Sequence, residues 1–417
     1  MTAAMNMSTR NDQEHDIEKT LETFIETGAL AGVATLVWRR GRRRITCVGW
    51  RDRETRRPVE SDTIFRIASM TKPITSVAAL MLWEEGRFAL DEPIARWAPA
   101  FADMRVLRRP DAALDDSVPA QRPITFADLL THRSGLTYGA FHQEPIAAAF
   151  RQALGGDIDT ELRPDAWIAA LASLPLVDHP GAAFHYGHST DLLGLLVARM
   201  EGTSLGRLLR ARLFDPLGMI DTGFIVSPDK WDRRAKLYGF DDDGALVPRL
   251  TGPGGSTVAE RPPDMAFESG GQGLWSTVED YLRFARLFVE GGSVDGVRVL
   301  RPETLAMMMA NHLTADQRRR SEIGGLPLFA SGHGFGLGVA VVTEPDAALP
   351  ALCGGAAGSV GWPGGFGGWW QADPHDGSVF LFLTHNLVER EQFARGIGFG
   401  VYGAITRFQA AASTSGE

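Results

Sequence analysis

The sequence predicts an α/β protein of the α+β kind, in which an antiparallel sheet flanked by helices is built from both ends of the chain and a mainly helical domain is inserted between. Three observations predict it. Alternating, β-branched runs at Gly32–Trp38 and Arg44–Trp50 lie near the N-terminus; similar runs return at Gly336–Val342, Gly367–Ala372 and Val379–Thr384; and the long stretch between is helical and loop-rich. The expected division is 1–86 with 222–417 for the sheet domain and 87–221 for the helical one.

Taken in order, Ile17, Leu21, Phe24 and Ile25 recur at helical spacing and Gly28 closes a first helix over Ile17–Thr27. The turn-like Arg39-Arg40-Gly41-Arg42 joins the first two strands as a hairpin. Ser69–Glu85 follows as a helix whose face carries Ile74, Val77, Ala78, Met81 and Leu82, with Gly86 as its C-cap. Further helices are expected at Phe126–Leu130, Asp165–Leu174, Asp191–Met200, Val278–Glu290 and Pro302–Met309. A last one runs around Glu391–Phe408. The Gly/Pro/Asp-rich stretch from Pro228 to Phe267 shows little periodicity.

Composition narrows the function. An apolar share of 44% and a charged share of 22% are ordinary for a folded chain of 417 residues, and a net charge of −9 without a basic stripe argues against nucleic acid as a partner. The first residues carry no apolar core of a secretory signal, and no run of about 18 apolar residues suggests a membrane span, so the expected address is the cytoplasm. Cys47 and Cys353 are then expected to be reduced, buried thiols.

The chemistry concentrates at Ser69-Met70-Thr71-Lys72. Residues i and i+3 share a helix face, so the Lys72 amine reaches the Ser69 hydroxyl. A serine is a weak nucleophile until a base takes its proton, and a lysine serves as that base only when burial lowers its pKa. Only four of the 42 basic residues are lysines, so Lys72 stands where this chain otherwise writes Arg, which cannot give up its proton. Ser227-Pro228-Asp229-Lys230 repeats the spacing, but Pro at the first helical position and Asp in the first turn mark Ser227 as a helix N-cap.

Two further segments complete the candidate site. In Tyr186-Gly187-His188 a phenol is available to shuttle a proton beside an ammonium. In Gly361-Trp362-Pro363-Gly364-Gly365-Phe366-Gly367-Gly368 the glycines let a backbone edge approach an acyl group and donate to its oxygen. No metal or cofactor is expected, because His185-x-x-His188 has no third ligand at sensible spacing. Gly398-Phe399-Gly400-Val401-Tyr402-Gly403 is followed by too few residues to form a dinucleotide-binding unit.

These motifs, with Leu129-Leu130-Thr131-His132-Arg133-Ser134-Gly135-Leu136 and Ser269-Gly270-Gly271-Gln272-Gly273-Leu274-Trp275-Ser276-Thr277, resemble the serine β-lactamase and penicillin-binding-protein superfamily across nearly the whole chain. Within it the chain is similar to class C β-lactamases and, more closely, to family VIII carboxylesterases. The resemblance implies the β-lactamase-like fold and an acyl-enzyme on Ser69, with Lys72 and Tyr186 as the proton-transfer pair. It implies oxyanion donors at the backbone of Ser69 and Gly365, and a substrate side bordered by Trp362, Gly364, Phe366 and His188. The chain departs from the class C pattern twice, with His188 in place of Asn and Trp362-Pro363-Gly364 in place of Lys-Thr-Gly. An indole cannot hold the carboxylate that the lysine ammonium helps to bind. The expected substrate is therefore a small or short-chain acyl ester. A β-lactamase or D-amino-acid peptidase, an acyltransferase and a non-catalytic binding protein are the alternatives.

Overall fold

Two alternating runs near the N-terminus form β1 (Gly32–Arg39) and β2 (Arg42–Asp52), which pair antiparallel from Gly32 opposite Gly49 to Arg39 opposite Arg42. The computed structural model describes residues 16–156, 159–249, 264–323, 325–329, 331–389, 392 and 395–414. Helix α1 covers 16–26, and the short strands β3 (Arg57–Pro58) and β4 (Phe65–Arg66) follow β2. After the helical middle of the chain come β5 (Trp275–Ser276), β6 (His333–Phe335), β7 (Ala340–Val342), β8 (Val360–Gly361), β9 (Trp369–Asp373) and β10 (Ser378–Thr384). Among the described residues the main sheet has eight strands in the order β6-β7-β8-β9-β10-β1-β2-β3, each antiparallel to its neighbours.

The period of two in β10 divides the protein into layers. Val379, Leu381 and Leu383 enter one core with Leu36 of β1 and the buried helix α2 (Thr71–Glu84), while Phe380 and Phe382 point the other way. There they meet Val401, Ala404, Ile405 and Phe408 of α8 (Phe399–Thr414), together with Ile17 and Leu21 of α1. Both faces of β10 are dry, and truncating Leu381 to Ala would cost about 2–5 kcal/mol.

The helical middle contributes α3 (Phe126–Leu130), α4 (Ile146–Leu154), α5 (Pro164–Ala172) and α6 (Ser189–Met200), and α7 (Val278–Ala285) follows β5. Helix α2 is buried almost all round because α6 packs along it, with Leu192, Leu193 and Leu196 in the same core as Ile74, Val77 and Leu80. Among the described residues no helix is long and apolar enough to cross a membrane.

Several expected elements differ at their ends. The strand expected over Gly336–Val342 begins only at Ala340, because Gly338 has φ +92° and turns the chain where a Cβ would meet Ser76 Oγ at 2.1 Å. The strand expected from Gly367 begins at Trp369, since Gly367 sits at φ +82°. The last helix begins at Phe399 rather than near Glu391, after the left-handed glycines Gly396 and Gly398; Glu391 itself lies outside the described residues. Helix α4 was not expected, and the aperiodic stretch after Pro228 contains a pair of short strands at Tyr238–Phe240 and Leu246–Pro248. Cys353 is buried as expected, Cys47 on β2 is only half-buried, and both thiols are free.

Candidate active site

Strand β4 pairs with β5, and the Ile67 N–H donates to the Leu274 carbonyl, which fixes the chain just ahead of Ser69. Ala68 then takes φ +45°, a left-handed conformation that a small residue tolerates at a cost of about 1–3 kcal/mol. A short 3-10 turn over Ala68–Met70 follows, and α2 begins at Thr71, so Ser69 precedes the α-helix rather than opening it. The result is a tight corner that presents Ser69 at 6% exposure while Lys72 enters the core completely.

Lys72 Nζ lies 3.3 Å from Ser69 Oγ, 3.2 Å from the Tyr138 hydroxyl and 2.9 Å from the Gly271 carbonyl, and 4.4 Å above the Tyr186 ring. Burial pushes its pKa down to about 7, against an opposing pull from the Asp191 charge. A lysine so placed is neutral in a large fraction of molecules at neutral pH.

Asp191, in the first turn of α6, is fully buried and saturated with donors. The Gly271 N–H donates to its Oδ1 at 2.9 Å, as does the Ser269 hydroxyl. His188 Nδ1 is 3.0 Å from Oδ2, and the Tyr138 hydroxyl reaches the same oxygen at 3.5 Å. Burial alone would raise the carboxyl, but His188, Lys72 and Ser269 together hold it below the usual carboxylate range. Gly271 thus donates to Asp191 and accepts from Lys72. A Cβ at Gly271 would meet Asp191 Oδ1 at 2.9 Å, which explains the glycine.

Tyr186 arrives from the turn before α6, where a side chain at Gly187 would collide with the Thr137 backbone at 2.3 Å. Its hydroxyl accepts from Trp362 Nε1 at 3.0 Å, and the neighbouring Ser69 hydroxyl favours its ionised form against the effect of burial. Burial holds the phenol above its ordinary range, so it is a proton donor at neutral pH. His132, at φ +52°, is buried with its ring 5.0 Å from that of Tyr186, and burial beside the Lys72 charge keeps it neutral.

Ser69 and Lys72 therefore come together as their spacing predicts, and Tyr186 lies beside them as the resemblance implies. Gly364 crosses close to the nucleophile turn, where a Cβ would lie 2.5 Å from the Ile67 carbonyl oxygen, and Gly365 beside it faces open space. Phe366 packs with Ala68, Leu237 and Leu387. Two expected substrate contacts lie elsewhere. Trp362 is 2% exposed, in an aromatic cluster with Phe335 and Tyr138, and its indole N–H donates to the Tyr186 hydroxyl. His188 is turned to Asp191 beneath the Tyr138 ring, at 4.5 Å between centroids, with Phe150 and Trp167 around it. Ser227 sits at the N-cap position of a 3-10 turn over Pro228–Arg233, but its side chain makes no capping bond there, and Lys230 pairs with Asp221 instead.

Tyr138 and Asp191 are the members that sequence reasoning missed. Tyr138 is one of five tyrosines and follows Ser134-Gly135 by a few residues, a weak signal that was there to be used. Asp191 reads as an ordinary acidic residue in a first helical turn.

The Beta-lactamase family model matches residues 17–397. An uncharacterized protein of Mycobacterium tuberculosis is 42% identical over 370 residues, which span 88% of this chain and 89% of the relative. Esterase EstB of Burkholderia gladioli is 34% identical over 360 residues, 82% of each chain. Among solved structures, EstCE1, described as a hydrolase with promiscuous acyltransferase activity, superposes with a TM-score of 0.75 at 25% identity, covering 96% of this chain and all of that one.

Proposed function

The chain belongs to the Beta-lactamase family, as a serine hydrolase on the β-lactamase-like fold, and from that premise we propose that it is a carboxylesterase cleaving small, short-chain acyl esters through an acyl-enzyme on Ser69. The observation that carries the reading is Lys72, held near neutrality by burial and 3.3 Å from the Ser69 hydroxyl.

In this mechanism the neutral Lys72 amine accepts the Ser69 proton as Oγ attacks the ester carbonyl. The oxyanion develops toward the backbone N–H groups of Ser69 and Gly365, whose donation in a water-poor corner strengthens as charge accumulates. Collapse breaks the bond to the alcohol, and the Tyr186 phenol gives its proton to the departing alkoxide and recovers one from the Lys72 ammonium. Water then repeats the sequence in reverse and frees the acid. Where another alcohol takes the place of water the same intermediate yields acyl transfer, and the likeness to EstCE1 favours keeping this second outcome in view.

Trp362 supports esters over β-lactams. Its N–H is spent on Tyr186 in an apolar cluster, so this position supplies no ammonium for a substrate carboxylate. Aryl esters of rising acyl length and a chromogenic cephalosporin, assayed on one preparation, test the reading. Turnover of the short esters with little of the cephalosporin is expected; a dominant cephalosporin activity would overturn it.

A further inference from the structure

On the β4 side of the nucleophile turn, three buried polar side chains carry atoms that meet no partner among the described residues: Arg66 Nε, Asp159 Oδ1 and His385 Nε2. Arg66 lies on β4, three residues before Ser69, and its Nη2 donates to Asp159 Oδ2. Asp159 comes from the segment between α4 and α5, and both side chains are shielded from solvent, at 2% and 1% exposure. His385 directly follows β10. Its Nδ1 lies 2.8 Å from the Ala235 carbonyl, to which it must donate, so Nε2 is left as an acceptor. Burial pushes this ring down to about 4, with a contribution from the Arg66 charge.

Aromatic rings join the three groups to the nucleophile turn. The Arg66 guanidinium lies 5.8 Å from the Trp275 ring, Trp275 is 5.9 Å from His385, and His385 meets Phe366 edge-on at 5.1 Å. Phe366 packs on Ala68, next to Ser69, and Gly365 before it faces open space.

A buried ion pair is weak support for stability, because apolar residues of similar volume do as well, and each unmade buried hydrogen bond is costly. The one donor and two acceptors left over on these residues, linked through the Trp275 ring, match a group that both donates and accepts. The Arg66–Asp159 pair is neutral as a unit, so an anion gains no net charge there.

We propose that Arg66, Asp159 and His385 form a polar subsite that binds an uncharged hydroxyl on the acyl part of the ester, which accepts from Arg66 Nε–H and donates to Asp159 Oδ1 or His385 Nε2. The inference rests on the esterase reading and deepens it, since it names the kind of acyl group preferred.

The test compares kcat/KM for aryl butyrate with the aryl 3-hydroxy- and 4-hydroxybutyrates, on the full chain. At least one hydroxyacyl ester is turned over about tenfold better than butyrate or more, as expected where a site is built to hydrogen-bond a substrate hydroxyl. His385→Phe removes the Nε2 acceptor together with the Nδ1–H bond to the Ala235 carbonyl, so it lowers that ratio toward one, and its butyrate rate and melting temperature report separately what the lost carbonyl bond does to the fold. Asp159→Asn leaves a buried guanidinium poorly paired, so the double variant Arg66→Met with Asp159→Leu, which removes both charges, is the companion, checked by its melting temperature. Equal wild-type rates on all three esters, as an ordered water on these atoms would give, overturn the subsite. So does a preference that survives both variants. If none of the esters is hydrolysed, the esterase reading falls separately, and calorimetric binding of the hydroxybutyramides against butyramide decides the subsite.

Discussion

Replacing Trp362 by Phe isolates one hydrogen bond of the site. The indole N–H donates to the Tyr186 hydroxyl at 3.0 Å, and the ring packs 5.2 Å from Tyr186 and 5.3 Å from Phe335. Phe keeps the ring contacts and removes the donor. A neutral hydrogen bond of this kind contributes about 0.5–1.5 kcal/mol. At about 1.4 kcal/mol per decade of rate, its loss lowers kcat/KM by about twofold to about tenfold. The loss should fall on kcat, because Trp362 holds the proton donor and lies behind it rather than against substrate. The assay is steady-state hydrolysis of an aryl acetate and an aryl butyrate, with the melting temperature as a check on the fold. Equal losses on both esters are expected. Unchanged kinetics in a folded variant would show that the bond does not orient Tyr186, and a loss confined to one acyl length would show that the indole borders the acyl group after all.

Lys72→Arg should be about as damaging as Lys72→Ala, a loss of about 10²–10⁴-fold, because a guanidinium keeps the charge but cannot take the Ser69 proton. An Arg variant with most of its activity would remove Lys72 from the role of base. In the wild type the amine must be neutral to act and titrates near 7, so kcat/KM should fall about tenfold per pH unit below that value and level off above it. Tyr186, held above its ordinary range, adds no loss up to about pH 10; a pH profile flat from 5 to 8 would contradict this. Asp191→Asn removes a charge that favours the ammonium, so the acidic limb should move to lower pH while kcat drops; Tyr138, Tyr186, His132 and His188, which surround the pair, keep their places. A limb that stays put or moves upward would show that Asp191 does not act on Lys72.

The sheet and the Ser69–Lys72 pair were legible because each rests on local spacing, whereas Tyr186 was joined to them through the family resemblance. The alternation in β1, β2 and β10 reports which side chains face which core, and the i, i+3 relation of Ser69 and Lys72 survives even though the Ser69 corner is a 3-10 turn and not α-helix. What was hidden depends on contacts between segments distant in the chain. Trp362 was expected at the substrate because Trp362-Pro363-Gly364 stands where the resembled class C pattern has Lys-Thr-Gly, yet its burial is set by Phe335 and Tyr186, residues no local pattern ties to it. His188 lies two residues beyond Tyr186, but the first turn of α6 swings it to Asp191. Tyr138 reaches Lys72 from 66 positions away, and the Gly271 carbonyl from 199. Helix α4 was missed because its alanine-rich Ile146–Leu154 segment shows only a narrow apolar stripe, formed by Ile146, Phe150 and Leu154.

The acyl-enzyme itself is the most direct object to measure. Intact-protein mass spectrometry after brief exposure to a slow aryl ester or an aryl phosphonate, followed by peptide mapping, should show a single adduct on Ser69, and none in Ser69→Ala with its melting temperature preserved. An adduct on Ser189 or Ser227, or undiminished hydrolysis by Ser69→Ala, would contradict the account.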